Sequence, residues 1–160
     1  MSRDGDMAQG SVEAIYVASA PGAPMRSVAE VRARPGAGLE GDRYAAGAGT
    51  FSRETGSDRQ VTLIEREALE AGRRDYRLEI PPEGTRRNLL TRGVYLNHLV
   101  GREFRVGEVR LRGVELCEPC DTLEKNTCPG ARRALIHRGG LRAEILAGGT
   151  LRPGDPIHAS

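Results

Sequence analysis

The stretch EFRVGEVRLRGVEL, residues 103–116, constrains the fold more than any other part of the chain. Phe104 and Val106 alternate with Arg105, and Val109 and Leu111 alternate with Arg110 and Arg112, on either side of Gly107-Glu108. Such alternation marks half-buried strands, and a Gly-X pair between two alternating runs marks a type II′ hairpin. The expected register opposes Val106 to Val109 and Phe104 to Leu111 on one buried face. At Gly113 the alternation slips by one residue, so Val114 and Leu116 continue that face only across a β-bulge.

Other segments read in the same way. VEAIYVAS from Val12 is a first strand and QVTLIE a second. REALEAGRRDY is a short helix with Ala68, Leu69 and Gly72 on one side, TRRNLLTRG a further strand, and VYLNHLVG a helical turn or two. RRALIHRGGLRAEILAGG reads as a strand or turn followed by a strand, and LRPGDPIHA as a Pro-Gly turn with a last strand. Residues 20–59 are dense in Gly and Pro, with one short strand near Ser27–Ala33; a loop of that length is uncommon in a compact domain unless it is functional. Short strands, many glycines and little helix give a mostly β fold with small helices, an antiparallel barrel. Residues 1–11 are expected to be a flexible tail and 12–160 a single domain.

Composition excludes several classes. No run approaches the roughly 18 apolar residues of a membrane span, and no signal peptide is visible, so the expected location is cytoplasmic and away from membranes. A formal net charge of +2 does not call for nucleic acid. Lys125 is the one lysine among 24 basic residues, a bias that makes any single arginine weak functional evidence.

All three cysteines lie in LCEPCDTLEKNTCPG, residues 116–130. An odd, clustered set is not a disulfide framework. Three uses compete: small thiols packed in a corner, which suits Cys117 beside Leu116; an irregular zinc site completed by Cys128 and His137; or one working thiolate serving as nucleophile, sulfur carrier or metal ligand. Pro119 ends the strand that arrives through Leu116, which puts Cys120 at a strand-to-loop exit and favours the third. A thioredoxin-type pair would open a helix within a βαβ unit, whereas this one follows a hairpin and precedes what reads as a polar loop.

Taken together, GLEGDRY (38–44), RRNLLTRG (86–93), GVELCEPC (113–120), HRGGLRAEIL (137–146) and GDPIH (154–158) resemble the MOSC domain, the module named for the C-terminal part of molybdenum cofactor sulfurases. The resemblance runs from about Val12 to Ile157 and implies a β-rich barrel. It matches the family's signature cysteine to Cys120, which in cofactor-binding members ligates molybdenum and in the sulfurase setting was proposed to carry a persulfide. Arg87 and Asn88 match residues at the cofactor pocket, where a guanidinium fork suits the pterin phosphate of molybdopterin; the plain alternative for Arg87 is a surface ion pair. In the GDR loop, Gly41 permits close backbone approach, while Asp42 orients Arg43, bonds a pterin nitrogen, or only closes an Asx-turn. Arg138 belongs with Arg132, Arg133 and Arg142 to a segment without carboxylates, either an anion-receiving patch or a solvated strand face. His137 is a candidate proton donor, and Gly139-Gly140 a turn or close approach. The chain carries Pro119 where some reductases of the family place Arg, and it is expected to lack their N-terminal barrel domain and appended helices.

The expectation is thus a stand-alone MOSC protein that binds molybdenum cofactor, or its sulfur, through Cys120. With the cofactor it would reduce N-hydroxylated small compounds using an external electron-donor protein. The alternative is a persulfide carrier fed by a cysteine desulfurase, a pyridoxal phosphate partner. A third reading is an interaction module whose cysteines bind zinc or pack.

Overall fold

The hairpin at residues 103–116 forms in the expected register, with Phe104 opposite Leu111 and Val106 opposite Val109. Gly107 turns it with a positive φ of 57°, the backbone that a II′ turn requires at its first central position. The predicted bulge is present, as the pairing with the next strand shifts between Gly113 and Glu115. The computed structural model describes residues 9–45 and 60–159; positions 1–8 of the expected tail and 46–59 of the long loop lie outside the described residues.

The strands are β1 (Gly10–Val17), β2 (Arg26–Ser27), β3 (Val31–Arg34), β4 (Gly38–Leu39), β5 (Val61–Glu65), β6 (Leu89–Arg92), β7 (Glu103–Val106), β8 (Val109–Leu116), β9 (Leu141–Ala147), β10 (Gly149–Leu151) and β11 (Pro156–Ala159). The helices are α1 (Arg66–Tyr76), α2 (Asp121–Asn126) and α3 (Ala131–Ala134), with 3-10 turns at Pro82–Thr85 and Leu96–Leu99. Strands β11, β7, β8, β9, β5, β6 and β1 pair in that order, and β1 pairs back onto β11, closing a seven-stranded barrel. β2 extends from the far end of β1, and β10, β3 and β4 form a separate three-stranded sheet.

Two details depart from the sequence reading. β1 begins at Gly10, two residues inside the expected tail. The barrel is not wholly antiparallel, because β5 and β6 run parallel, with Leu63 opposite Leu89 and Ile64 opposite Leu90. Parallel neighbours need a crossover, supplied here by α1, and they are covered on both faces. Leu63 and Leu89 accordingly face the barrel core, whereas Ile64 and Leu90 belong to a second core with Ala68, Leu69, Ile80, Leu123, Ala131 and Leu135. The helix matches its expected face, with Ala68, Leu69 and Gly72 buried.

The small helices arise from packing. Leu123 of α2 and Ala131 of α3 are buried in the second core, so the polar loop expected after Cys120 is a helix, and the strand or turn expected at residues 132–137 opens with a helical turn. Isolated helices this short are marginal in water, and tertiary burial decides their formation.

Candidate functional site

Segment 85–88 organises the site. The Pro82–Thr85 turn ends in Arg86 with a left-handed φ of 63°, from which the chain enters β6. Arg87 is buried and donates from Nε to Gly139 O (2.8 Å), from Nη1 to Thr85 O (3.0 Å) and from Nη2 to Cys117 O (2.9 Å). One rigid guanidinium thus ties the exit of β8 to the loop before β9. Asn88, fully buried, accepts at Oδ1 from Thr62 N (3.0 Å) and Thr62 Oγ1 (3.2 Å) and donates from Nδ2 to Tyr16 O (3.0 Å), joining β5 and β1 at the start of β6.

The GDR loop docks on the same segment. Arg43 donates from Nη2 to Arg86 O (3.1 Å) and from Nη1 to Asp42 Oδ1 (3.0 Å), and its guanidinium lies 4.3 Å from the centre of the Tyr44 ring. Buried Asp42 also accepts from Ala18 N (3.0 Å) and Tyr44 N (3.4 Å), so it closes an Asx-turn and orients Arg43 at once. Gly41 turns with φ 84° beside open space. Arg86 was not singled out from the sequence, although it stands in the same RRN motif. Its Nη1 donates to Ala23 O (2.6 Å), while its Nη2 is buried and meets no acceptor among the described residues. Burial, and then the Arg43 charge, lowers its pKa.

The three thiols occupy different surroundings, all unpaired. Cys117 is buried; its N donates to Gly140 O (2.7 Å), and the neighbouring Arg142 donates from Nη1 to Glu115 Oε2 (2.6 Å). Cys128 is half-buried, and burial followed by the nearby Glu124 charge pushes its thiol up. Cys120 alone is exposed, in extended backbone just before α2, where its carbonyl accepts from Glu124 N (3.1 Å). The helix that it precedes packs against the Pro82–Thr85 turn.

Gly139 fits the close approach expected of it. A Cβ there would collide with Cys117 O and come within 2.8 Å of Pro119 N. Gly140, with φ 119°, would likewise collide with Leu63 O. Between the two cysteines, Glu118 accepts from His137 N (2.7 Å) at Oε1 and pairs with His137 Nδ1 (2.8 Å) at Oε2. Burial raises the Glu118 pKa, but these contacts outweigh it and hold the carboxyl below its ordinary range.

Gly41, Asp42, Arg43, Arg87, Asn88 and the Cys117–Cys120 turn are therefore linked through one bonded frame. Arg138 stands apart: its Nη2 lies 3.6 Å from Glu65 Oε1, and it lines a cavity of about 230 Å³ with Glu65, Glu67, Gly93, Val94 and Tyr95. The segment without carboxylates finds them elsewhere, since Arg132 pairs with Asp121 (2.5 Å) and Arg142 with Glu115 (2.6 Å), while Arg132 and Arg133 sit on α3 and not on a strand. Among the described residues no group of three or more His, Cys, Asp or Glu side chains is placed to hold a metal ion, as a zinc site would need. No helix among them is long and apolar enough to cross a membrane.

The YuaD protein from Bacillus subtilis has the same fold, with a TM-score of 0.74 at 18% identity over 94% of this chain and 94% of that chain. YiiM from Geobacillus stearothermophilus gives 0.71 at 15% identity over 94% and 75%. YiiM from Escherichia coli gives 0.64 at 21% identity over 93% and 69%. At these identities the likeness shows the fold alone. No curated protein sequence matches the chain significantly. The family profile of the MOSC domain matches residues 50–158, a span that takes in Arg87, Asn88, Cys120 and Arg138 and begins after the GDR loop. The chain belongs to the MOSC domain family.

Proposed function

We propose that this MOSC protein binds molybdenum cofactor through the Cys120 thiolate and reduces small N-hydroxylated compounds with electrons from a separate donor protein. The observation that carries this reading is the placement of Cys120, a soft sulfur exposed just before α2, on the turn whose Cys117 end is clamped to Arg87 at the exit of β8. The surrounding residues fit the cofactor: Arg86 Nη2 is a buried donor without an acceptor among the described residues, beside a second guanidinium, Arg43, so an anionic group would be welcome there. When bound, the cofactor supplies two-electron, oxygen-atom-abstracting chemistry. Cys120 holds the metal, Arg43 and Arg86 supply positive charge for the pterin phosphate, and Asp42, Arg87 and Asn88 keep those groups in place. Gly41 leaves open space beside the GDR loop, while Arg138, on the separate cavity with Glu65, takes no part in this reading.

Exposure of Cys120 to a partner protein also supports the second reading, a carrier that accepts a persulfide from a cysteine desulfurase. Purification from cells that make molybdenum cofactor, with bound molybdenum and released pterin measured, separates the two. Stoichiometric metal and pterin are expected, falling at least roughly tenfold in Cys120→Ala with little change in melting temperature, since the residue is exposed. A metal-free protein that takes up a persulfide at Cys120 would establish the carrier instead.

A further inference from the structure

His137 stands in a left-handed backbone, φ 64°, that Gly would adopt at lower cost, in a loop where Gly139 and Gly140 follow within three residues. Three hydrogen bonds are made from that conformation. Its N and its Nδ1 both hold the Glu118 carboxylate, at 2.7 and 2.8 Å, while its carbonyl accepts from Asn97 Nδ2 (2.7 Å). Glu118 is the second residue of Cys117-Glu118-Pro119-Cys120. The Cys117 end of this turn is fixed by Arg87 and Gly140, and the Cys120 end by α2. The carboxylate ties the middle of this turn to the loop before β9, and a two-point contact fixes orientation as well as position.

We propose that His137, acting through Glu118, is the positioning residue that keeps Cys120 outward and Cys117 inward, so that the C-x-x-C pair works as one exposed thiolate and does not close into a disulfide. The inference rests on Cys120 being the working thiolate, but its test needs neither molybdenum nor a sulfur donor. The competing step is thiol–disulfide exchange with a disulfide oxidant such as oxidised glutathione. Cys120 thiolate attacks one glutathione sulfur and expels a glutathione thiolate. Cys117 thiolate then attacks the Cys120 sulfur and expels the second. The protein loses two protons and two electrons, and the oxidant becomes two glutathione thiols.

The rate of Cys117–Cys120 closure in oxidised glutathione, followed by peptide mapping, is measured beside the melting temperature. His137→Gly relieves the left-handed backbone but removes the ring, so closure should quicken roughly threefold, the weight of one solvent-exposed charge-assisted contact, without a fall in melting temperature. His137→Asn, which tolerates the same backbone and donates from Nδ2 near the place of Nδ1, should close at close to the wild-type rate. Wild-type closure in His137→Gly would overturn the proposal. So would equally fast closure in His137→Asn, or a rate gain in His137→Gly matched by lost thermal stability, which marks general loosening.

Discussion

Arg87 illustrates how a residue type that is uninformative by abundance becomes informative by address. Arginine is so frequent in this chain that its presence in RRN says little, and its three bonds to the carbonyls of Thr85, Cys117 and Gly139 join segments that no local pattern connects. Arg87→Met would leave those carbonyls buried without their donors, and chemical denaturation should show a loss of about 3 kcal/mol. Arg133, exposed on α3, should tolerate alanine within about 0.5 kcal/mol in the same measurement. The exposure of Cys120 was legible because Pro119 and the end of the alternation locate a strand exit. The Glu118–His137 contact was not, since it joins residues 19 apart across a helix-containing excursion and leaves no periodic trace.

Among the elements, those with local register were read most fully. The β7–β8 hairpin and the bulge at Gly113 are written in alternation and turn chemistry within 14 residues, so their pairing could be stated residue by residue. The parallel pairing of β5 with β6 was hidden, because a short apolar run such as VTLI suits any strand buried on both faces; the helix that follows it, α1, was the available hint of a crossover. The same helix is tied to the barrel by Glu13 of β1, which accepts from Arg66 Nε and Arg92 Nε, both at 2.7 Å. Burial raises the Glu13 pKa, yet the two guanidiniums outweigh it and leave it below the ordinary value of 4.5. A depressed carboxyl stabilises the fold above its unfolded pKa and loses that contribution as pH falls through the folded one. Glu13→Gln should therefore cost about 1 kcal/mol at pH 7, with the difference from wild type vanishing below the carboxylate range in denaturation at a series of pH values.

At the scale of the whole molecule, one side chain reports on barrel integrity. Ile157 is fully buried on β11, where it opposes Gly10 of β1 on one side and Val106 of β7 on the other. Ile157→Ala removes contacts exactly where no other strand can substitute, and a loss of about 2–5 kcal/mol is expected, seen together by circular dichroism and by denaturant titration because the barrel has one interior. That seam also sets an order of events during synthesis. β1 is made before β11 and meets that partner only once residue 157 has been made, so its edge is open until then. Pairings of such sequence separation form slowly and leave strand edges free to meet other chains, so the exposure to wrong pairing is confined to the time before closure, and the finished barrel has no open edge along that seam.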